Sequence, residues 1–328
     1  MNDLFNSDFF SIETLTAAIN KAPYVPGQLA ALKLFEEKGI ATTRAAVELK
    51  NNVLTLVPNI QRGGPAPVFR PGSREGVNFD CAHLIQRSTL LADSIQDVRE
   101  FGTTELKTLE NSLNTDHLMP MRSNLEATLE YHRIGAVKGL VIDASGGTLV
   151  DLFAEFGVTQ QTLDVDLDTS ATNVQTKIIA AKRLAETTLG AIKPTGWRAL
   201  CSPAFFDALI GHPSVEAFAA GWTAASMLRD DVRDSVNIGG VDFSEYRGSY
   251  LGTDFIAAGE AYLVPLGVPG LFITRFAPAD YAEAVNTEGL PIYAKSHPLP
   301  FNRGAMLEAQ SNPVNLCTQP RAVIKLTA

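Results

Sequence analysis

An α+β fold is what the order of elements in this chain predicts, and three observations carry that expectation. Helix-period and strand-period segments come in runs, without regular βαβ alternation. One long helix pattern stands between hairpin-like segments. A long Gly/Pro-rich excursion near the start has no capacity to build a core of its own. The 328 residues suffice for two cores at about 100–200 residues per domain.

Residues 11–22 place Ile12, Leu15, Ala18 and Ile19 at helical spacing, the pattern of an amphipathic helix. Pro23 and Pro26 stop it, because proline lacks the amide N–H and clashes with the preceding turn. Helical spacing resumes over residues 28–38 with Leu29, Leu32, Leu34 and Phe35. Apolar groups so near a chain end need burial against the same chain or a neighbouring copy, so residues 1–43 read as an arm. Residues 43–58 read as a hairpin: Val47 and Leu49 lead to a turn at Asn51-Asn52, and Leu54, Leu56 and Val57 return. From 59 to 79 the chain turns Gly/Pro-rich through Arg62-Gly63-Gly64-Pro65, Pro67, Pro71-Gly72 and Gly76. Loops beyond about 12–15 residues are uncommon in compact domains and are mostly functional or disordered. A two-stranded projection lying on another subunit would account for this one.

Residues 116–137 are the strongest helix candidate. Thr115 can cap it, Pro120 falls in its first turns, and Leu118, Met121, Leu125, Leu129 and His132 repeat at three and four. A hairpin follows, Leu140-Val141-Ile142 and residues 149–153 around a turn at 143–147, and residues 163–168 form another strand. Thr172 then caps a helix to about Leu189, with Val174, Ile178, Ala181 and Ala185 on one face. Residues 197–201 read as a buried strand, and 203–230 as two helices interrupted at Gly211-His212-Pro213. Short strands and proline-punctuated loops close on the strand 322–326.

Net charge is −9, and Lys182-Arg183 is the sole adjacent basic pair. Nothing here matches the basic stripe that neutralises phosphates. An acidic wall beside DNA suits a container better than a DNA-condensing protein. Cys81, Cys201 and Cys317 are far apart and odd in number, which indicates neither a disulfide framework nor a zinc site. The start of the chain lacks the basic and apolar regions of a signal peptide. The uncharged apolar runs, such as residues 217–228, fall short of the roughly 20 residues that cross a bilayer, so no membrane partner is expected.

Several groups of residues could in principle carry chemistry. Asp164, Asp166 and Asp168 alternate with Leu163, Val165 and Leu167, which on a strand puts three carboxylates on one face. A solvated or inter-subunit acidic face is the preferred reading over a calcium site, which would need more oxygen ligands. Cys81 and His83 share a strand face but lack an orienting third group and an oxyanion hole. His132 sits on the buried helix stripe, and His117, His212 and His297 lack ligand spacing. The Gly-rich residues 143–147 lack the Lys-Ser/Thr of a phosphate loop, and no catalytic fingerprint occurs. No enzyme, metal site or cofactor is expected.

Four ordered blocks remain: residues 259–269 (GEAYLVPLGVP), 277–281 (APADY), 285–295 (VNTEGLPIYAK) and 310–313 (QSNP). Their order and spacing resemble the C-terminal signature of lambda-like major capsid proteins, the phage capsid protein E family. Leu15 to Asn20, Val57-Pro58 with Arg62-Gly63-Gly64-Pro65, Arg99-Glu100-Phe101-Gly102, residues 128–136 and Tyr246-Arg247-Gly248 resemble further family segments. The ordered set covers nearly the whole chain.

The resemblance implies the Hong Kong-type phage capsid fold: an N-terminal arm (1–43), an extended loop (44–92), a peripheral domain with a spine helix (93–189), an axial domain (190–300) and a return strand (301–328). It implies a major head protein of a tailed phage or prophage, building hexamers and pentamers of an icosahedral shell around packaged DNA. The protein would sit in the virion after assembly in the host cytoplasm. A separate scaffold protein, a portal and a decoration protein are the implied partners; the scaffold is expected because the chain starts almost at the arm. No lysine occurs between Lys50 and Lys107, so the Lys–Asn cross-link that some relatives form from the extended loop is not available. Arg62, Phe69, Arg70, Arg74 and Phe79 are the expected inter-subunit contacts. An encapsulin-like nanocompartment shell around cargo enzymes is the rival of the same fold.

Overall fold

The computed structural model describes residues 12–21, 27–50, 74–94, 96, 113–219, 235–250 and 252–328. They fall into two units, each drawn from three stretches of chain. Neither unit coincides with a single one of the five expected segments.

The first unit takes Met1–Ala45, Phe79–Arg133 and Ile273–Asn315. Its centre is an antiparallel three-stranded sheet in the order Tyr293–Pro298, Gly304–Ser311, Leu84–Leu91. Along Leu84–Leu91 the exposure alternates, with Ile85, Arg87, Thr89 and Leu91 outward, as a two-residue period requires. The inward face joins one core with Leu15, Ile19, Leu118, Met121, Leu125, Ile292, Ala294 and Leu307. The arm helix (Ile12–Lys21) lies against the outer strand. Its Leu15 and Ile19 are fully buried, each contributing about 1.5–3 kcal/mol. Thr16 Oγ1 donates to Ala294 O (3.3 Å) and accepts from Ala294 N (3.1 Å), and Asn20 Nδ2 donates to Ile292 O (2.9 Å). The helix thereby occupies backbone groups that an edge strand would otherwise leave open.

The second helix of the arm is shorter than its spacing predicts. It covers Gln28–Ala31 alone. Lys33 turns the chain at φ 50°, and Glu36–Gly39 becomes a strand paired in parallel with residues 273–276. Leu32, Leu34 and Phe35 mimic helical spacing, but a partner more than 230 positions away wins the segment. The strand Arg44–Lys50 pairs with Arg74–Asp80 in a two-stranded ribbon, joined by Arg44 and Asp80 at 2.6 Å. The partner expected for it, residues 54–57, lies outside the described residues.

The long helix (Met119–Lys138) follows a π-helical turn, Leu113–Leu118. Leu118, Met121, Leu125 and His132 are buried as their spacing requires, and Leu129 is half-buried. Gly139 ends the helix at φ 86°; a Cβ there would sit 2.2 Å from the Phe153 ring.

The second unit takes Ala46–Asn78, Ile134–Phe272 and Leu316–Ala328. It holds a mixed six-stranded sheet in the order Gln161–Asp164, Ile324–Thr327, Glu260–Leu266, Gly196–Cys201, Val241–Glu245, Val236–Ile238. In the central strand residues 261–265 are all buried, so both faces are covered. Ala261 and Leu263 join a core with Ile178, Ala181 and Ala185 of the helix Val174–Leu189 and with Phe205, Phe206 and Leu209 of the helix Pro203–Ile210. Ser202 caps the latter through Phe205 N (3.4 Å), with Pro203 in the first turn where its missing N–H costs nothing. The expected second helix here is Pro213–Ala219; what was expected beyond it lies outside the described residues.

Three local expectations shift. Asn173, not Thr172, caps the helix Val174–Leu189, its Oδ1 accepting from Thr176 N (3.2 Å). The hairpin forms as Leu140–Ile142 with Thr148–Asp151. Leu152 and Phe153, however, start a helical turn because Asp151 accepts from Phe153 N and Ala154 N. The final strand is Ile324–Thr327, after a 3₁₀ turn at Pro320–Ala322. No helix among the described residues is long and apolar enough to cross a membrane.

Candidate functional site

The four signature blocks have definite structural work. Residues 259–269 contain the central strand of the six-stranded sheet, with Gly259 and Gly267 at its two ends in the left-handed region (φ 77° and 71°). At Gly267 a Cβ would lie 2.1 Å from Thr195 Oγ1, so the position is glycine for space as well as for conformation.

The other three blocks meet in the first unit. Asn312 ties them together: its N–H side donates from Nδ2 to Pro278 O (3.0 Å), and its backbone O accepts from Ala277 N (2.9 Å). Its Oδ1 lies 2.7 Å from His83 Nδ1, which is therefore the donor, since the amide nitrogen is already engaged. Gln310 Nε2 donates to Asp280 Oδ1 (2.9 Å), Ser311 Oγ to Pro291 O (2.6 Å), and Leu290 N to the Tyr293 hydroxyl (2.9 Å). Tyr281 donates its hydroxyl proton to Glu308 Oε1 (3.0 Å), and Glu308 also pairs with Arg87 at 2.5 Å. Lys295 pairs with Glu283 (2.9 Å) and sits 4.9 Å from the centre of the Tyr281 ring. Burial, with Glu308 and Asp280 beside it, raises the Tyr281 hydroxyl above its ordinary range. Lys295 holds the exposed Glu283 carboxyl below its own.

At the centre of this junction three backbones touch. Ile40 N donates to Phe276 O (2.8 Å), and Gly289 N to Ile40 O (3.0 Å). A Cβ on Gly289 would fall 2.0 Å from Phe276 O, and one on Gly39 would fall 2.3 Å from Gly289 O. Asn286, three residues earlier, takes φ 59°, a conformation asparagine tolerates better than most residues. The sequence around Gly289 thus reads as a demand for close backbone approach.

The segment 128–136 performs a second fastening, between the long helix and the arm. Glu130 Oε1 accepts from Leu29 N (2.8 Å) and packs so tightly on Gly27 that a Cβ there would be 2.4 Å from Glu130 Cδ. Arg133, its side chain only 3% exposed, pairs with Glu37 Oε1 (2.5 Å) and lies over the Phe35 ring at 5.6 Å. A little earlier, Arg122 donates to Ile19 O (2.5 Å) and pairs with Glu126 at 2.5 Å. Burial raises the Glu126 carboxyl despite that partner. Sequence reasoning named Glu130 and Arg133 only as part of a motif. The signal available was their three-residue spacing, which places both on one side of a helix.

Among the described residues, the candidate catalytic and metal-binding side chains do not come together. The strand expected over 163–168 is Gln161–Asp164, and Asp166 takes φ 55°, so the three carboxylates do not share a face. Asp166 is paired with Lys177 instead, and Asp164 Oδ1 accepts from Asp166 N (3.1 Å). Cys81 and His83 lie in a connection between two strands, not on one strand. Burial, then Asp80, pushes the Cys81 thiol up to about 11, the reverse of what a nucleophile needs. His83 is turned to Asn312 and stands 3.7 Å from Asp280. His212 is buried, with Nε2 3.1 Å from Thr169 O and Nδ1 2.9 Å from Ser214 Oγ. His117 Nδ1 lies 2.7 Å from Ser88 Oγ.

Of the expected inter-subunit contacts, Arg62, Phe69 and Arg70 lie outside the described residues. Arg74 opens the strand Arg74–Asp80, and Phe79 near its end is 3% exposed.

Comparison with known proteins supplies the remaining link. The sequence model described as phage major capsid protein E matches residues 11–328. The chain is 29% identical to the major capsid protein of Pseudomonas phage KPP10 over 96% of both chains. It is 24% identical to that of Salmonella phage Felix O1 (isolate Felix O1-VT1), over 97% of this chain and 96% of the relative. Among solved structures it is similar to a prophage protein of Escherichia coli CFT073, itself assigned as a capsid protein. The TM-score is 0.59 at 12% identity, covering 96% of this chain and 98% of the other. The Hong Kong-type fold expected from the signature is therefore the fold of this molecule. Matched from residue 11 to residue 328, the chain belongs to the phage major capsid protein E family, and its function is that of a capsid shell subunit.

Proposed function

We propose that copies of this chain associate as hexamers and pentamers and close an icosahedral head shell around packaged DNA, without reading its sequence and without catalysing a reaction. The observation that carries this reading is the family match over residues 11–328, with capsid relatives aligned from end to end. The division proposed is an arm to residue 43, an extended loop to 92, a peripheral domain to 189, an axial domain to 300 and a return strand to 328. In this reading the loop lies on a neighbouring copy, anchored by Phe69 and flanked by Arg62, Arg70 and Arg74, while Phe79 is buried within its own chain. Assembly takes place in the host cytoplasm, with a separate scaffold, a portal and a decoration protein as partners. Shell strength comes from burial summed over many interfaces, since obligate interfaces commonly bury about 2,000 Å² or more.

The test is electron microscopy of the purified chain, expressed alone and with its genomic neighbours, beside a variant lacking residues 69–76. Closed shells, tubes or six-fold rings are expected from the full chain in at least one preparation. The deletion should give folded subunits that close none. A uniform small oligomer from the full chain in both preparations would overturn the shell reading. Normal shells from the deletion would overturn the role of the loop.

A further inference from the structure

The three-stranded sheet of the first unit is covered on its outward face at one end and open at the other. At the covered end Tyr281 bonds Glu308, and Asp280 bonds Gln310, which is fully buried. At the open end Leu91 and Met306 are 46% and 41% exposed. Leu91 is paired with Gly304 and Thr89 with Met306, which makes Leu91 and Met306 diagonal neighbours on one face. Phe301 stands in the connection that closes this end, where Leu299 N donates to Gly304 O (2.8 Å). It is 91% exposed, and its φ of 63° lies in a region that a bulky side chain enters only at a cost. Strain kept on an exposed aromatic, at the same end as two exposed apolar side chains, marks a contact surface.

The arm helix points to the occupant. Asn20 bonds Ile292 O and Thr16 bonds Ala294 O, so the helix runs antiparallel to the strand Tyr293–Pro298. Its first residue, Ile12, therefore directs the chain before it toward the open end. Residues 1–11, which lie outside the described residues, include Leu4, Phe5, Phe9 and Phe10. We propose that residues 4–10 dock across this open end on their own chain, with their aromatic side chains against Leu91, Phe301 and Met306. Seven extended residues reach about 23 Å, against about 10 Å across three strands. Charge leaves the choice to apolar contact: Arg87 is paired with Glu308, and Asp93 follows Ala92, whose N–H donates to Arg303 O (2.9 Å). Rooted beside the patch, the segment has an effective concentration that a second copy in dilute solution does not reach. The docked strap withholds the apolar end of the sheet from other chains.

Two measurements test it. Phe9→p-benzoylphenylalanine is made in light (¹⁴N) and heavy (¹⁵N) full-length chains, which are mixed as free subunits, irradiated, digested and read by mass spectrometry. Cross-links from position 9 to residues 89–91 or 301–306, each joining peptides of one isotope, are expected. Light-to-heavy cross-links would seat a second copy there and overturn the proposal, as would cross-links elsewhere or none. Separately, Phe301→Asn removes the aromatic ring and suits the left-handed backbone. That variant should melt within about 2 °C of wild type. Chymotryptic cleavage after Phe5, Phe9 or Phe10 should nevertheless speed up at least about fivefold. An unchanged cleavage rate overturns the docking at Phe301.

Discussion

Glycines 289 and 146 separate two reasons for which a residue can be irreplaceable. Gly289 has an ordinary φ but meets Phe276 O at 2.0 Å from where a Cβ would stand. Gly146 takes φ 89° with nothing within 4 Å, so its cost is conformational alone. Gly289→Ala should cost about 2–3 kcal/mol by forcing backbones apart, and Gly146→Ala about 1 kcal/mol. Thermal melts of the two variants would show the larger drop for Gly289→Ala, and equal drops would contradict the three-backbone contact. Phe301 is a contrasting case, a 91% exposed aromatic at φ 63°, with the Arg303 guanidinium 5.7 Å from its ring centre. Letters such as these could be seen in the sequence, and their necessity could not. Gly289 and Asn312 were visible as signature characters, but the atoms that make them necessary come from residues 276 and 83.

The arm helix shows the same division at the scale of an element. Its apolar stripe was legible because helix burial follows local spacing, and Leu15 and Ile19 are buried where that spacing puts them. Its receptor was not legible, since the groups that hold Thr16 belong to Ala294. Thr16→Val keeps the shape and removes the hydroxyl, leaving an edge N–H unpaired at about 1–3 kcal/mol. Amide exchange over residues 12–21 should accelerate while the helix Val174–Leu189 stays protected. Unchanged exchange in the arm would rule out the hydroxyl as the fastening. Misreadings elsewhere share one cause. Residues 163–168 alternate like a strand, yet strand pairing stops at Thr327 opposite Asp164, and Asp166 leaves the sheet. Residues 32–35 are spaced like a helix, yet Glu36–Gly39 is claimed by a distant strand. Periodicity predicts what a segment can do alone; non-local hydrogen bonds decide where it stops.

At the scale of the whole molecule, charge and topology carry separate consequences. With a net charge of −9, the purified chain should leave duplex DNA unshifted in gel assays at about 10 µM protein and about 0.15 M salt, where basic proteins bind non-specifically. A strong shift would contradict the reading of an inert inner wall. Topology bears on time. Thr16 waits for a partner 278 positions further along the chain. At about 5–20 residues per second that interval is roughly 14–56 s of ribosome travel. Throughout it the arm helix has been made but the strand that receives it has not. A nascent chain therefore cannot finish its first unit while still short of residue 315, and polysomes translating this message should carry unfinished subunits that do not yet polymerise with one another. Completion of synthesis becomes the licence to assemble.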